Sequence, residues 1–292
     1  MSFAVATGVV LALFGASDPA AHARTDPSVA VLVGAGDIAD CKAIERAQAT
    51  AQLLDGIPGT VFTVGDHAYR DGTERQFAEC YEPTWGRHKQ RTRPAVGNHE
   101  YHSPLAAPYF AYFGPAAGAP GRGYYCYSLG AWHVAVLNSN CDEVDCSEGS
   151  PQERWLRDDL AAHKTACALA YWHHPRFSSG KHGSSTKMTA LFRALYDAGV
   201  ELAISGHDHL YERFAPQDAT GRLDPARGVR QFVVGTGGRR SYRFETVEPN
   251  SEVRATDILG VLRLTLTPDR YGWDFVPVAG QTFADSGTEA CH

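Results

Sequence analysis

Five short segments of the sequence place aspartate, asparagine or histidine directly after a run of apolar residues. Such side chains supply oxygen and imidazole donors, which pairs of first-row transition metal ions take as ligands in proteins. If the five segments meet in the fold, their combined chemistry is that of a two-metal centre. The segments are Gly36-Asp37, GDHAY at 65–69, GNHE at 97–100, His173-His174-Pro175 and GHDH at 206–209.

The last segment illustrates the spacing. His207 and His209 are separated by one residue, where the chain leaves an apolar run and turns. This spacing lets the two imidazoles reach different ions about 3.5–4 Å apart, as two-metal hydrolases require. Gly206 lets the backbone approach the site closely. The segment is therefore expected to serve both halves of a two-metal centre.

The elements that must position these residues are short strands. Early in the chain they alternate with helices, and later strands follow one another directly. This order predicts an α/β fold, a four-layer αββα sandwich of two mixed sheets flanked by helices. Ligands bind at the carboxyl ends of strands in open α/β sheets, so the five segments are expected to converge. The predicted strands span 29–36, 60–65, 92–97, 132–138, 167–173, 200–206, 230–237, 258–266 and 271–278.

Four helices are predicted, and the first and last end in glycine, as a left-handed C-terminal cap prefers. Pro151 stands where a first helical turn tolerates proline. The stretch 100–125 is rich in Tyr, Pro, Gly and Ala and is expected to be a long loop. The predicted helices span 42–56, 73–81, 151–163 and 185–199.

Together the five segments resemble the calcineurin-like metallophosphoesterase superfamily, whose pattern is GD, GD-x-x, GNH-D/E, a strand ending in His, and GH-x-H. Within it the sequence is most similar to purple acid phosphatases, because Tyr69 follows Asp66 by three residues and 206–213 reads GHDHLYER. The resemblance covers residues 29–280 and implies the metallophosphoesterase fold. Plant and fungal members carry an extra N-terminal β domain, and nothing before Val29 could form one, so a single-domain, bacterial-type protein is expected.

The resemblance also implies a role for each residue. Fe(III) would be bound by Asp37, Tyr69 and His209, and Fe(II), Zn or Mn by Asn98, His173 and His207. Asp66 would bridge both ions. His99 would act as general acid, and His182 would contact the substrate. Of the two adjacent histidines, His173 is preferred as the ligand over His174, since the family has His-x-Pro there.

These roles predict a secreted, acid phosphatase-like enzyme that hydrolyses phosphate monoesters by in-line attack of a metal-bound hydroxide, while His99 protonates the leaving alkoxide. An acidic pH optimum would suit a trivalent ion. Two alternatives stay open. One is a phosphodiesterase or nucleotidase on the same site. The other is a secreted protein that binds metal or phosphate without turnover.

Composition limits the partners. The 292 residues are 43% hydrophobic, enough for one large domain. The formal net charge is −6, and no run of Lys or Arg exceeds a pair, so no nucleic-acid-binding surface is expected. The expected partner is a small phosphorylated substrate. Arg239 and Arg240 could pair with phosphate, although a solvated surface is the simpler interpretation. Glu100 is expected to orient a neighbour by hydrogen bonds.

The N-terminus and the cysteines indicate export. An apolar stretch at 3–16 is followed by AHA at 21–23, so a signal peptide at 1–23 and a catalytic domain at 24–292 are expected. A buried N-terminal helix is the alternative. The apolar stretch is short for a membrane span. Seven cysteines fit an oxidising compartment, with Cys141 and Cys146 able to close a loop and Cys126 the expected free thiol.

Overall fold

Two β-sheets lie face to face at the centre of the molecule, in a computed structural model that describes residues 1–4 and 29–292. One sheet has six strands in the order β15-β14-β13-β1-β3-β5, and the other has seven in the order β12-β10-β11-β9-β8-β7-β6. The strands are β1 Ala30–Ala35, β2 Ala39–Asp40, β3 Thr60–Val64, β4 Ala68–Tyr69, β5 Thr92–Ala95, β6 Tyr125–Leu129, β7 Trp132–Val136, β8 Ala168–Tyr171, β9 Leu202–Ser205, β10 Tyr211–Phe214, β11 Arg230–Val234, β12 Ser251–Ala255, β13 Gly260–Thr267, β14 Arg270–Pro277 and β15 Ser286–Ala290.

Helices cover the outer faces of the sheets. The α-helices are α1 Ile44–Gly56, α2 Glu74–Gln76, α3 Ala107–Phe113, α4 Pro151–Ala162 and α5 Thr189–Asp197. A π-helical turn continues α2 over Phe77–Tyr81. Short 3₁₀ turns span Trp85–Arg91, Glu100–His102, Pro104–Ala106, Gly114–Ala117 and Thr186–Met188.

Alternation along the strands separates two apolar cores. In β8, Leu169 and Tyr171 belong to the core between the sheets, whereas Ala168 and Ala170 belong to the core beneath α4 and α5. Aromatic pairs join the sheets, and the ring centres of Phe62 and Tyr171 are 5.7 Å apart. The four-layer αββα fold class predicted from the sequence is confirmed.

Parallel pairing brings the site segments to one edge. β1, β3 and β5 are neighbours and parallel in the first sheet. In the second, β8, β9 and β11 are parallel in the same way. Because parallel neighbours end on the same side, the residues that follow β1, β3, β5, β8 and β9 lie close together.

The stretch 100–125 is not one long loop, so this prediction is wrong. It contains α3, whose Tyr109, Phe110 and Phe113 are buried among aromatic side chains around His67. The high Gly and Pro content of this stretch obscured a short helix that is stabilised by packing rather than by its own propensity. The predicted helix 73–81 is α-helical only over its first turn. The left-handed cap occurs at Gly199, with φ 71°, whereas Gly56 is the last residue of α1 and lacks a positive φ.

Three disulfides are present among the described residues. Cys141 pairs with Cys146, as predicted, and the other two bonds join Cys41 to Cys80 and Cys167 to Cys291. Cys126 is free, also as predicted. The Cys167–Cys291 bond links the start of β8 to the end of the chain, and the Cys41–Cys80 bond joins the segment after β2 to the π-helical turn.

The predicted signal peptide and its cleavage site lie largely within residues 5–28, outside the described residues. Among the described residues, no helix has both the length and the apolar character needed to cross a membrane.

Candidate metal centre

Two aspartates occupy sharp turns at the ends of adjacent strands. Asp37 follows β1 with φ 61°, and Asp66 follows β3 with φ 54°. Left-handed backbone is uncommon for residues other than glycine, and aspartate is among those that tolerate it. Both side chains are buried, with exposed fractions of 0% and 1%. The turns direct two carboxylates into one interior site, as the sequence predicted.

A single phenol links the two carboxylates. The Tyr69 oxygen lies 2.9 Å from Asp37 Oδ1 and 3.0 Å from Asp66 Oδ2. It is also 3.3 Å from Nε2 of His209. Three acceptor atoms therefore surround one hydroxyl group. Since one hydrogen serves one good hydrogen bond, this cluster is short of donors.

The second half of the site consists of Asn98, His173 and His207. His173 Nε2 is 2.9 Å from Asn98 Oδ1 and 3.4 Å from Asp66 Oδ1. Nδ1 of His207 lies 3.2 Å from the same His173 nitrogen. All seven residues predicted as metal ligands thus form one continuous cluster, with Asp66 in contact with both halves.

Backbone carbonyls orient two of the imidazoles. Nδ1 of His173 is 2.7 Å from the oxygen of Val64, and Nδ1 of His209 is 2.8 Å from the oxygen of Arg240. Each Nδ1 must carry hydrogen to donate to its carbonyl, which directs Nε2 into the site. This is the usual arrangement of a metal-binding histidine whose other nitrogen is held by a hydrogen bond.

The carboxylates control protonation in the cluster. Burial opposes a charge on His173, but Asp66 outweighs it and raises the pKa of His173 to about 9. Burial and the nearby His173 lower the pKa of His207 well below its ordinary value. Burial, Asp37 and Asp66 raise the pKa of the Tyr69 phenol well above its ordinary value. The site therefore favours bound positive charge beside Asp66, and ionisation of Tyr69 calls for a cation.

Glycines next to the aspartates permit this crowding. A Cβ on Gly97 would overlap Asp66 Oδ1, and a Cβ on Gly206 would lie 2.6 Å from Asp37 Oδ2. Both positions are far inside van der Waals contact. The glycine in each of these segments is thus required by the close approach of a carboxylate, as was expected for Gly206.

Glu100 holds two of the segments together. Its carboxylate accepts hydrogen bonds from the backbone N–H groups of Asp66 at 3.0 Å, His67 at 2.8 Å and Gly97 at 2.8 Å. The side chain is buried. This contact fixes the turn after β3 against the turn after β5, in agreement with the hydrogen-bonding role expected for Glu100.

The two predicted substrate-side histidines flank the cluster. His99 Nδ1 contacts the carbonyl oxygen of Arg70, and its Nε2 is 3.6 Å from Asp66 Oδ2. The ring of His182 lies 4.3 Å from that of His207, centre to centre. An adjoining cleft of about 450 Å³ is lined by Asn98, His182 and His207 among others, and is called the substrate cleft below.

His174 occupies a different position from His173. Its Nδ1 is 2.9 Å from the Ser139 hydroxyl, and it lines the substrate cleft. Burial and the neighbouring His173 lower the pKa of His174 to about 3. Its ring is 4.4 Å from that of His207. His173 therefore lies against Asp66, whereas His174 lies in the wall of the substrate cleft.

Two buried acids that sequence reasoning passed over support the His182 loop. Asp208 Oδ1 accepts from the His182 N–H at 2.9 Å and Oδ2 from the Ser178 hydroxyl at 2.6 Å. Glu212 accepts from the Ser179 N–H at 2.8 Å. The available signal is the pair of acidic residues in GHDHLYER. Asp208 stands between His207 and His209, and Glu212 lies in β10.

Two further contacts were also missed. The Arg239 guanidinium lies over the Tyr69 ring, 4.6 Å from its centre, and pairs with Asp40. Tyr242 stacks on His209, with ring centres 4.0 Å apart and planes at 16°. The double arginine at 239–240 is the available signal, and the contacts of Arg239 with Asp40 and Tyr69 show that it is not simply a solvated side chain.

The fold and this site define a metallophosphoesterase-type protein. The family model for the calcineurin-like phosphoesterases matches residues 21–211, and the chain belongs to that family. The resemblance inferred from the five segments is confirmed.

Known proteins with similar sequences or folds agree. Purple acid phosphatase 18 of Arabidopsis thaliana is 25% identical over 252 residues, covering 77% of this chain and 54% of that protein. Tartrate-resistant acid phosphatase type 5 of Rattus norvegicus is 24% identical, covering 75% and 72%. The purple acid phosphatase PPD1 of Lupinus luteus superposes with TM-score 0.75 at 19% identity, over 89% of this chain and 53% of that one. The chain thus spans about half the length of the plant relative.

Proposed function

We propose that this protein hydrolyses phosphate monoesters, as an acid phosphatase-like enzyme with two metal ions. The observation that carries the proposal is the group of acceptor atoms around the Tyr69 oxygen, from Asp37, Asp66 and His209, which share one hydroxyl hydrogen. Buried carboxylates need a compensating positive charge, and no Lys or Arg side chain of the described residues pairs with either of them. Metal cations supply that charge, so these donor residues fit a two-metal centre.

The donor types divide between two ions. A phenolate and two carboxylates suit a trivalent ion such as Fe(III), and these would come from Tyr69, Asp37 and the shared Asp66, with His209 completing this ligand set. An amide and two imidazoles suit Fe(II), Zn or Mn, and these would come from Asn98, His173 and His207. Two such ions, when bound, would withdraw charge from phosphate oxygens and make water a nucleophile at neutral or acidic pH.

The chain's own residues would handle binding and protons. His99 directs Nε2 towards Asp66 while Nδ1 is held by the Arg70 carbonyl, so Nε2 can donate a proton to the leaving oxygen. His182, beside His207, can donate to a phosphate oxygen. The alcohol then leaves with its proton, and the nucleophilic water supplies the fourth oxygen of inorganic phosphate.

Comparing a monoester with a diester tests the proposal. We expect the metal-loaded protein to hydrolyse 4-nitrophenyl phosphate with a kcat/KM at least about tenfold above that for bis(4-nitrophenyl) phosphate, with a maximum below pH 7. Faster cleavage of the diester would favour the phosphodiesterase alternative. Protein that contains metal but hydrolyses neither compound would be a binding protein.

Tyr69→Phe tests the division of donors. Loss of the phenol oxygen should abolish the visible tyrosinate-to-iron absorption band of purified protein while leaving the divalent ion in place. Metal analysis and an absorption spectrum measure both effects. Tyr112→Phe is the control, since that phenol contacts Glu82 away from the site. A purple band that persists in Tyr69→Phe would remove Tyr69 from the ligand set.

Export belongs to the same proposal. The three disulfides support an oxidising compartment, where such bonds persist. The N-terminal sequence of protein recovered from the medium or periplasm of an expressing cell would locate the expected cleavage after Ala23.

A further inference from the structure

A second cleft, of about 540 Å³, opens beside the candidate metal centre and is lined by four arginines. Arg46 extends from α1, and Arg239, Arg240 and Arg243 come from the loop after β11. The acidic residue in its lining is Asp40. The chain as a whole carries a net charge of −6, so this arginine cleft concentrates positive charge on an acidic protein.

Most of this charge is free to meet a ligand. Arg239 pairs with Asp40 and lies over Tyr69. Across residues 29–292, no carboxylate lies within ion-pair distance of Arg46, Arg240 or Arg243. A smaller adjoining cavity of about 260 Å³ shares Arg46, Arg239 and Arg240 and adds Asp257 to the lining. The four arginines line one cleft, and a cleft lined by charges of one sign raises the local concentration of a ligand of opposite charge.

The arginine cleft shares a wall with the metal centre. His209 lines it, and Nε2 of the same residue is 3.3 Å from Asp37 Oδ1. Tyr242, stacked on His209, also lines the arginine cleft and lies 5.2 Å from the ring of His182, centre to centre. His182 in turn lines the substrate cleft. Tyr242 therefore lies between the arginine cleft and His182 of the substrate cleft.

We infer that the arginine cleft binds a second phosphate group of the substrate, so that the preferred substrates are small organic compounds carrying two or more phosphates. This inference rests on the proposed function, which places the scissile ester at the metal centre. Guanidinium groups match phosphate through paired N–H donors, and their charge persists at acidic pH, where phosphate esters remain anionic. A neutral alcohol portion would leave the arginines without partners.

A matched pair of esters tests the inference. We expect kcat/KM for fructose 1,6-bisphosphate to exceed that for fructose 6-phosphate by about tenfold in the unaltered protein, measured as inorganic phosphate release. In the double variant Arg240→Gln/Arg243→Gln this ratio should fall to about two or less. The control is Arg193→Gln/Arg222→Gln, which removes two exposed charges outside the cleft and should keep the tenfold ratio. This control separates the effect of contacts in the arginine cleft from the effect of a changed net charge.

The outcomes separate the two proposals. Hydrolysis of both esters at a ratio near one in the unaltered protein would overturn the second-phosphate site and leave the proposed function intact. If neither ester is hydrolysed, the proposed function fails. Calorimetry with methylenediphosphonate then tests whether the arginine cleft binds phosphate groups. An equal Kd for the unaltered protein and the Arg240→Gln/Arg243→Gln variant would then overturn it, whereas severalfold weaker binding by the variant would support it.

Discussion

Asp66→Asn is expected to lower kcat for 4-nitrophenyl phosphate by about a thousandfold or more and to reduce the metal content below two ions per chain. Asp66 is the residue that contacts both halves of the centre, through Tyr69 at 3.0 Å and His173 at 3.4 Å. An amide cannot bridge two cations as a carboxylate does, because it offers one neutral oxygen. Metal analysis beside steady-state kinetics measures the two effects together.

The same substitution also affects the metal-free protein. There, Asp66→Asn removes the buried carboxylate that lies 3.4 Å from His173 and accepts a hydrogen bond from the backbone N–H of His99, so the unfolding temperature should fall. Asp158→Asn, on the exposed face of α4, is the control for removing one charge. Unchanged turnover in Asp66→Asn with two ions bound would exclude Asp66 as the bridging ligand.

Glu100→Gln is expected to destabilise the protein by about 2–4 kcal/mol and to slow phosphate release markedly. The Glu100 carboxylate accepts from three buried backbone N–H groups, on Asp66, His67 and Gly97. A glutamine of the same shape presents an NH₂ group to at least one of them, which leaves a buried donor unpaired. The loop that carries Asp66 would then shift relative to Asn98.

Chemical denaturation with a constant m-value measures the loss of stability, and the ratio of kcat to KM effects shows its consequence at the site. Since Glu100 acts through Asp66 rather than on the substrate, kcat should fall more than KM rises. Glu79→Gln, which alters an exposed glutamate in the neighbouring π-helical turn, should change neither quantity. A Glu100→Gln protein as stable and active as the original would show that the three hydrogen bonds contribute nothing.

Much of the fold could be predicted from the pattern of apolar and polar residues along the chain. The apolar runs 60–65 and 200–206 correspond to β3 and β9. A parallel strand that is buried on both faces requires a nearly continuous apolar run, so its sequence is easy to identify. The helix α3 was missed because its residues show no strong helical preference, and packing around His67 determines it. Strands such as β15 were missed because they alternate between half-buried and exposed positions at the edge of a sheet.

The sequence alone determined the donor set and its order along the chain, since glycine, aspartate and histidine at the ends of apolar runs are local features. Parallel strands end on one side, so those local features imply convergence without any coordinates. Only the tertiary structure decided which side chains meet from unrelated loops: Glu100 with the backbone of Asp66, Arg239 with Tyr69, and four arginines around one cleft. Such contacts depend on how loops of irregular conformation pack against each other, and no sequence period encodes that packing.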